Sequence, residues 1–194
     1  LAFIQPSKPP RETQSIHLNI IANMKERLTK LPFYNQAVLP YHYLQAAIAT
    51  HKYHHPARRL HVIGVTGTNG KTTTTTLVGK LMKNYFDSVF VVGNIGNPYT
   101  EAAKEMVDET VTVAEISSFQ LETIHEFHPV VSAILNITPD HLNRHHTMEC
   151  YIETKEKIAL NQTKDNVCVL NFDDIVTRDF ADYCNASVLY FSRL

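Results

Sequence analysis

A short glycine-containing stretch combines the residue types that proteins use to hold phosphate groups. After the apolar run 62–66 come, in order, Gly67, Thr68, Asn69, Gly70, Lys71, Thr72 and Thr73. Glycines let backbone N–H groups approach an anion closely, and a helix beginning near the lysine adds the positive end of its dipole. The hydroxyl of Thr72 is suited to the Mg²⁺ that accompanies a nucleoside triphosphate. Although Val65 stands where the common phosphate loop has glycine, residues 67–70, the glycine loop, predict a nucleotide-phosphate site rather than a plain turn.

Polar residues that suit the same site follow three later apolar runs. Asn94 follows the run 89–92, Glu115 ends the run 111–115, and His141 comes after the run 131–135. Because the carboxyl ends of parallel strands meet at one edge of a sheet, we expect these side chains to lie near the glycine loop. A carboxylate that closes an apolar strand suits a metal ligand or a general base, so Glu115 is a candidate for either role. His141 is a candidate because it adjoins an aspartate, whereas His145 and His146 are predicted to be solvated.

Some of these polar residues also have a structural interpretation. Asn94 lies between two glycines, where it can be a left-handed turn residue as readily as a binding residue. Ser117 with Gln120 three positions later fits a helix capping box, and this interpretation stays open beside a role in the site. Asp173 and Asp174 are predicted to cap the helix that follows them.

Lys155 is singled out by the periodicity of its segment. The apolar positions Met148, Tyr151, Ile152, Ile158 and Ala159 form one helical stripe, and Lys155 falls within it. Residues 153, 154, 156 and 157 are predicted on the polar face. A lysine on a buried stripe either extends its ammonium group to solvent or is functionally modified. Because burial lowers a lysine pKa, a neutral amine can react with CO₂ to form a carbamate, which is an oxygen ligand for a metal.

Apolar, β-branched runs alternate with helical patterns from residue 60 onward. The predicted strands are 62–66, 89–92, 111–115, 131–135, 167–170 and 188–190, and the predicted helices are 71–84, 98–108, 119–126, 148–161 and 173–183. This alternation predicts a doubly wound α/β domain over 58–194 with a mostly parallel sheet. The proline-punctuated segment 1–57 is predicted to hold two amphipathic helices, 13–30 and 40–53, and its role is not indicated by any motif.

Composition narrows the class of protein. The 194 residues carry 18 basic and 19 acidic side chains. This near balance of charge does not favour a nucleic acid or an anionic membrane as partner. The three cysteines lack Cys-x-x-Cys spacing, which indicates reduced thiols in a cytoplasmic protein. No apolar run approaches the ~18 residues of a membrane helix.

Taken together, the motifs resemble the Mur ligase family over about residues 60–175. The matching stretches are the glycine loop with Lys71 and Thr72, residues 93–96 (Gly-Asn-Ile-Gly), 115–122 (Glu-Ile-Ser-Ser-Phe-Gln-Leu-Glu), 134–144, 151–158 and 171–174. The resemblance implies ATP-dependent amide formation through an acyl phosphate in peptidoglycan synthesis. Residues 93–96 and 117–122 resemble the branch that adds D-glutamate to a UDP-sugar-peptide substrate. A sibling ligase, of the Mur or folylpolyglutamate type, and a non-catalytic nucleotide-binding protein are the alternatives. The guanine motif Asn-Lys-x-Asp of a GTPase is not present in the sequence.

The resemblance also implies a role for each candidate residue. Lys71 would bind the β and γ phosphates of ATP, and Thr72 and Glu115 would hold one Mg²⁺. His141 and a carbamoylated Lys155 would hold a second Mg²⁺ beside the substrate carboxylate. Asn94 and Ser117 would lie near the substrate. A monomer is expected, and we expect this chain alone to bind ATP weakly and to form no amide product.

Overall fold

The computed structural model describes residues 60–193, together with Leu44, Ala47, Ile48 and His51. The strands are β1 (His61–Thr66), β2 (Val89–Gly93), β3 (Val111–Glu115), β4 (Val131–Ile134), β5 (Val167–Asn171) and β6 (Ser187–Phe191). The helices are α1 (Lys71–Met82), α2 (Tyr99–Ala102), α3 (Ser118–Leu121), α4 (Leu142–His145), α5 (Met148–Glu156) and α6 (Ile175–Phe180), and α5 continues into a 3₁₀ turn, Lys157–Ala159.

The six strands form one parallel sheet in the order β2-β3-β1-β4-β5-β6. All five residues of β3 are buried, as a strand covered on both faces requires. The predicted α/β class with a parallel sheet is confirmed, and every predicted strand is present within one residue of its predicted bounds.

The strand order places the glycine loop at a switch point of the sheet. After β1 the chain crosses to β2 and β3 on one side, and it returns to β4 on the other side of β1. In open parallel sheets the crevice for ligands lies beyond the carboxyl end of such a strand. The register brings the ends of three strands level, because Glu115 pairs with Val65 on one side and with Gly93 on the other.

The core lies between the sheet and its helices. Fully buried apolar side chains include Val62, Leu121, Ile134, Ile158 and Leu170. Each such side chain contributes about 1.5–3 kcal/mol relative to exposure. A second cluster of Val65, Val111 and Val113 packs against the inner face of α1. The three cysteines are free, as predicted.

Two predicted helices are much shorter than expected. The helical pattern over 98–108 yields only Tyr99–Ala102, and the pattern over 119–126 yields only Ser118–Leu121. In both, the chain leaves the helix through i−3 hydrogen bonds, from Lys104 N to Glu101 O and from Thr123 N to Gln120 O. The chain then turns back toward the next strand, so a single helical turn suffices.

The first predicted N-terminal helix lies outside the described residues. Of the second, 40–53, only Leu44, Ala47, Ile48 and His51 are described, and these four are helical. Within the described part of the chain, no helix combines the length and the apolar character needed to cross a membrane.

Candidate functional site

The glycine loop has a backbone that only glycine adopts readily. Gly67 has φ of 147° and Gly70 has φ of 81°. A Cβ on Gly67 would lie 3.1 Å from Leu135 Cβ and 3.3 Å from the backbone N and O of Asn136. The residue is therefore required both for its torsion angle and for the close approach of the loop to the segment after β4.

Asn136 holds the glycine loop against that segment. Its side-chain oxygen accepts a hydrogen bond from Asn69 N at 2.9 Å, and its side-chain nitrogen donates to Asn69 O at 3.1 Å. Its carbonyl accepts from Thr68 N at 2.9 Å. The hydroxyl of Thr68 donates to Thr138 O at 3.1 Å and accepts from Thr138 N at 3.0 Å. The sequence analysis did not predict that Asn136 holds the glycine loop. The feature that could have indicated this role is its place as a polar residue just after an apolar strand.

Two lysine side chains converge on one carbonyl oxygen of the loop. Lys71 Nζ donates to Gly67 O and to Thr68 O, both at 2.8 Å, and Lys155 Nζ donates to Gly67 O at 2.8 Å. The two ammonium groups therefore share an acceptor where the predicted phosphates would lie.

Lys155 is buried within the apolar stripe of α5. Only 1% of it is exposed, and its Nζ lies 4.7 Å from the centre of the Tyr151 ring. Burial, together with the nearby charge of Lys71, lowers the pKa of Lys155 to about 7. The interpretation in which this ammonium group extends to solvent is therefore wrong. The same helix corrects a second expectation, because Thr154 is buried and donates to Cys150 O at 2.7 Å.

Glu115 is a buried carboxylate held by neutral donors. It is 2% exposed, and it accepts from Thr72 Oγ1 at 2.8 Å and from Asn94 Nδ2 at 3.0 Å. The left-handed interpretation of Asn94 is wrong, since the positive φ of 99° belongs to Gly93. Three side chains from separate segments thus meet, as the convergence of strand ends predicts.

The residues around Glu115 have the chemistry of a magnesium site. A carboxylate and a hydroxyl are hard oxygen ligands, and their oxygens lie 2.8 Å apart. Within residues 60–193 no group of three or more His, Cys, Asp and Glu side chains forms a cage for a metal. Mg²⁺ at nucleotide sites takes one or two protein ligands and completes its shell with water and phosphate oxygens, so the Thr72 and Glu115 pair fits this ion.

His141 lies at the start of α4 in a strained conformation. It is the N-cap residue with φ of 52°, and its Nε2 is 3.5 Å from Asp140 Oδ2. Its ring centre lies 5.0 Å from that of Phe119. Its side chain is half-exposed and accessible, while its pairing with Lys155 at a second cation stays a prediction.

His145 is buried, and the expectation that it is solvated is wrong. It is 2% exposed, and its Nε2 lies 2.9 Å from Ser118 Oγ. Burial lowers the pKa of this imidazole, which favours the neutral form. His146 is exposed, as predicted.

The capping predictions are confirmed for two of three residues. Ser117 forms a complete capping box with Gln120, so its structural role is established and a substrate role stays a prediction. Asp174 caps α6 by accepting from Val176 N and Thr177 N. Asp173 does not, because its carboxylate accepts from Ser192 Oγ and Arg193 N instead.

Comparison with known proteins places this chain in a family. The model of the Mur ligase middle domain matches residues 65–193. The chain is 64% identical over 131 residues to the UDP-N-acetylmuramoylalanine--D-glutamate ligase of Lachnospira eligens, and 60% identical over 131 residues to that of Clostridioides difficile. Each match covers 68% of this chain and 29% of the relative, so the matched segment spans under a third of the relatives' length.

The solved structures that are similar have the same fold. The MurF ligase of Thermotoga maritima in complex with ADP gives a TM-score of 0.60 at 24% identity, covering 75% of this chain and 36% of that one. A UDP-N-acetylmuramoyl-L-alanyl-D-glutamate--2,6-diaminopimelate ligase gives 0.54 at 27% identity, covering 69% and 32%. On the match to the middle-domain model, which spans the glycine loop, both lysines and Glu115, this chain belongs to the Mur ligase family.

Proposed function

We propose that this chain supplies the ATP-binding part of a ligase that joins D-glutamate to UDP-N-acetylmuramoyl-L-alanine in peptidoglycan synthesis. The observation that carries the proposal is that two lysine side chains meet at the glycine loop while a hydroxyl and carboxylate pair forms at its carboxyl-side residue Thr72. The substrates are inferred from the relatives, at 60% and 64% identity, whose names state that reaction.

The cationic side of the site suits the phosphates of ATP. Lys71 and Lys155 both donate to Gly67 O at 2.8 Å, so both side-chain nitrogens are held at the glycine loop. The free N–H groups at the start of α1 add positive potential. In the proposed reaction the alanyl carboxylate attacks the γ-phosphate of ATP, the β–γ bond breaks with release of ADP, and an acyl phosphate forms. The amine of D-glutamate then attacks the acyl carbon, displaces inorganic phosphate and loses a proton to give the amide. Lys71 and the bound cations would offset the repulsion between these anions.

The anionic side of the site suits a divalent cation. Thr72 and Glu115 would hold one Mg²⁺, which when bound neutralises phosphate charge. Asn94 fixes the second carboxylate oxygen at 3.0 Å and so orients Glu115. We assign Asn94 and Ser117 to the substrate side of the site as part of the same proposal.

Lys155 is proposed to act as a carbamate. Its depressed pKa supports a neutral amine near pH 7, which is the form that reacts with CO₂. The carbamate would share a second Mg²⁺ with His141. We also propose that the enzyme is cytoplasmic and monomeric, and that residues 58–194 form an incomplete central ATP-binding domain.

The test uses a chimera in which residues 65–193 replace the matching segment of the Lachnospira eligens relative, hereafter the graft. Release of ADP is measured with UDP-N-acetylmuramoyl-L-alanine, ATP and D-glutamate, and product is identified by mass. We expect ligation that depends on both substrates. A graft that folds and binds ADP but forms no product, while the parent relative does, would contradict the proposal. Calorimetry of the 194-residue chain with ADP separates loss of nucleotide binding from loss of ligation.

A further inference from the structure

The two single-turn helices α3 and α4, which come after β3 and β4 in the chain, depend on tertiary contacts for their position. α3 and α4 have four residues each. Helices this short have little stability of their own, because the cost of nucleation is not recovered. α4 begins at His141, whose left-handed backbone, with φ of 52°, is unfavourable for a residue with a side chain. Surrounding groups must therefore hold this residue in place.

A bidentate ion pair joins the two helices. Arg144 on α4 donates from Nε to Glu122 Oε1 at 3.0 Å and from an Nη to Glu122 Oε2 at 2.6 Å. Glu122 directly follows α3. The side chains of the pair are 16% and 17% exposed. Fork-to-fork geometry at low exposure fixes orientation as well as distance.

His145 adds a second attachment between the same helices. Its Nε2 lies 2.9 Å from Ser118 Oγ on α3, and its Nδ1 lies 3.6 Å from Glu122 Oε1. Within the turn of α4, the backbone N–H groups of Arg144 and His145 both donate to His141 O, at 2.9 and 3.1 Å. The residues that attach α4 to α3 are thus the residues that hold His141.

The ring of His141 also rests on a side chain from α3. The Phe119 ring centre is 5.0 Å from that of His141, and the Arg144 guanidinium lies 4.9 Å from the Phe119 ring centre. Displacement of α4 relative to α3 would therefore move the His141 ring off Phe119.

We infer that Glu122, Arg144 and His145, the clasp, act as positioning residues for His141. The clasp sets the position of the imidazole relative to the glycine loop without itself touching substrate. This inference rests on the proposed function only in that His141 is there assigned to a cation site.

The first experiment measures the position of the His141 ring in the 194-residue chain. The NMR signal of its Hε1–Cε1 group is assigned by comparison with His141→Gln. The ring-current shift that Phe119 causes in this signal is measured by comparison with Phe119→Leu. We expect Glu122→Gln and Arg144→Gln to lose that ring-current shift. Glu109→Gln is the matched control, because Glu109 pairs with His61 at the amino end of β1 at 3.0 Å, and it should leave the signal unchanged.

The second experiment measures kinetics in the graft. Glu122→Gln, Arg144→Gln and the double variant should each lower kcat by about 10- to 100-fold, as expected for a misplaced catalytic group. The KM for ATP should stay within roughly twofold, because the glycine loop is not touched. The double variant should cost no more than the larger single change, since the pair acts as one unit. Thermal unfolding is recorded for each variant. If Arg144→Gln does not fold, Arg144→Lys is used in its place, alone and in the double variant.

Three results decide the inference. An unchanged His141 signal with kcat within roughly twofold of wild type would overturn it, as would single effects that multiply in the double variant. If the His141 NMR signal changes as expected in the clasp variants but the graft without these substitutions forms no product, the positioning role of the clasp is supported and the proposed function is contradicted.

Discussion

The two halves of the site carry opposite charge and are built differently. At the glycine loop, Lys71 and Lys155 reach one carbonyl oxygen from two helices, and both donate to it at 2.8 Å. At the ends of β2 and β3, Glu115 is buried among neutral donors, and no ion pair involves it among the residues that the structure describes. One half thus brings the Lys71 ammonium group and the Lys155 amine to one carbonyl oxygen, and the other holds a carboxylate with no cationic partner among the described residues. An anion that carries a bound metal cation would suit both halves of the site. An anion without a metal cation would suit only the half at the glycine loop.

The largest expected effect tests the cationic half. Lys71→Ala in the graft should lower turnover by about 10²- to 10³-fold, because a charge held at the phosphate loop is lost. Lys80→Ala, an exposed lysine later on the same helix, is the control and should have near-normal turnover. Steady-state ADP release measures both. Near-normal ligation by Lys71→Ala would remove this residue from the site.

Lys155 offers a chemical test of its proposed modification. In the graft, Lys155→Ala should lose most activity, and added formate or acetate should restore part of it by supplying an oxygen ligand. Lys155→Arg should not be rescued, because its guanidinium fills the site with positive charge. The rate of ADP release is compared with and without formate.

Two further variants locate the rescue. Glu115→Gln should lose activity that formate does not restore, because the missing oxygen ligand lies at a different position from that of Lys155. His141→Ala should weaken binding of the cation that His141 shares with Lys155. A fully active Lys155→Ala variant would contradict the carbamate, as would an unmodified Lys155 in a high-resolution map of the active protein.

The anionic half can be tested through its backbone. Gly93 and Gly96 have nearly equal φ values, 99° and 100°, but a Cβ on Gly93 would overlap the carbonyl of Glu115, whereas one on Gly96 meets nothing within 4 Å. Gly96→Ala should cost about 1 kcal/mol of unfolding free energy from torsion alone. Gly93→Ala should cost about 2–4 kcal/mol and displace Glu115. Urea unfolding of both variants measures the difference, and equal losses would show that the contact with Glu115 is unimportant.

The smallest expected effect is a pH dependence of stability. The pKa of Lys155 is lowered from 10.5 to about 7 in the fold, so between these values the unfolded chain binds the extra proton. Stability should therefore rise with pH through this window, by about 2 kcal/mol between pH 7 and pH 9. Lys155→Met lacks the titrating group and is the reference. Urea unfolding at both pH values gives the comparison, and an identical pH response in the two proteins would contradict the burial of a titrating amine.

The sheet was predictable because each strand is a short apolar, β-branched run with a turn after it. The convergence of Thr72, Asn94 and Glu115 followed from the parallel topology alone, since parallel strand ends share an edge. The burial of Lys155 followed in part from helical periodicity. All three predictions depend on repeating patterns that are local in sequence.

The parts that were wrong depend on contacts between distant segments. His145 was expected in solvent because a four-residue helix has no periodicity to indicate its buried face, and its partner Ser118 lies 27 positions earlier. Asp173 was expected to cap α6, but its partners come from residues 192 and 193, after the last strand. The short helices α2 and α3 lacked a sequence signal for the residues at which they stop.

The most direct test of the charge comparison is the effect of Mg²⁺ on ADP binding by the 194-residue chain. Calorimetry of wild type and Glu115→Gln, each with and without Mg²⁺, separates the two halves of the site. We predict that Mg²⁺ tightens ADP binding to wild type by about tenfold, a typical coupling between two bound ligands. Glu115→Gln should bind ADP alone at least as tightly as wild type and gain no tightening from Mg²⁺. Full tightening by Mg²⁺ in Glu115→Gln would contradict the assignment of the cation to the Glu115 half of the site.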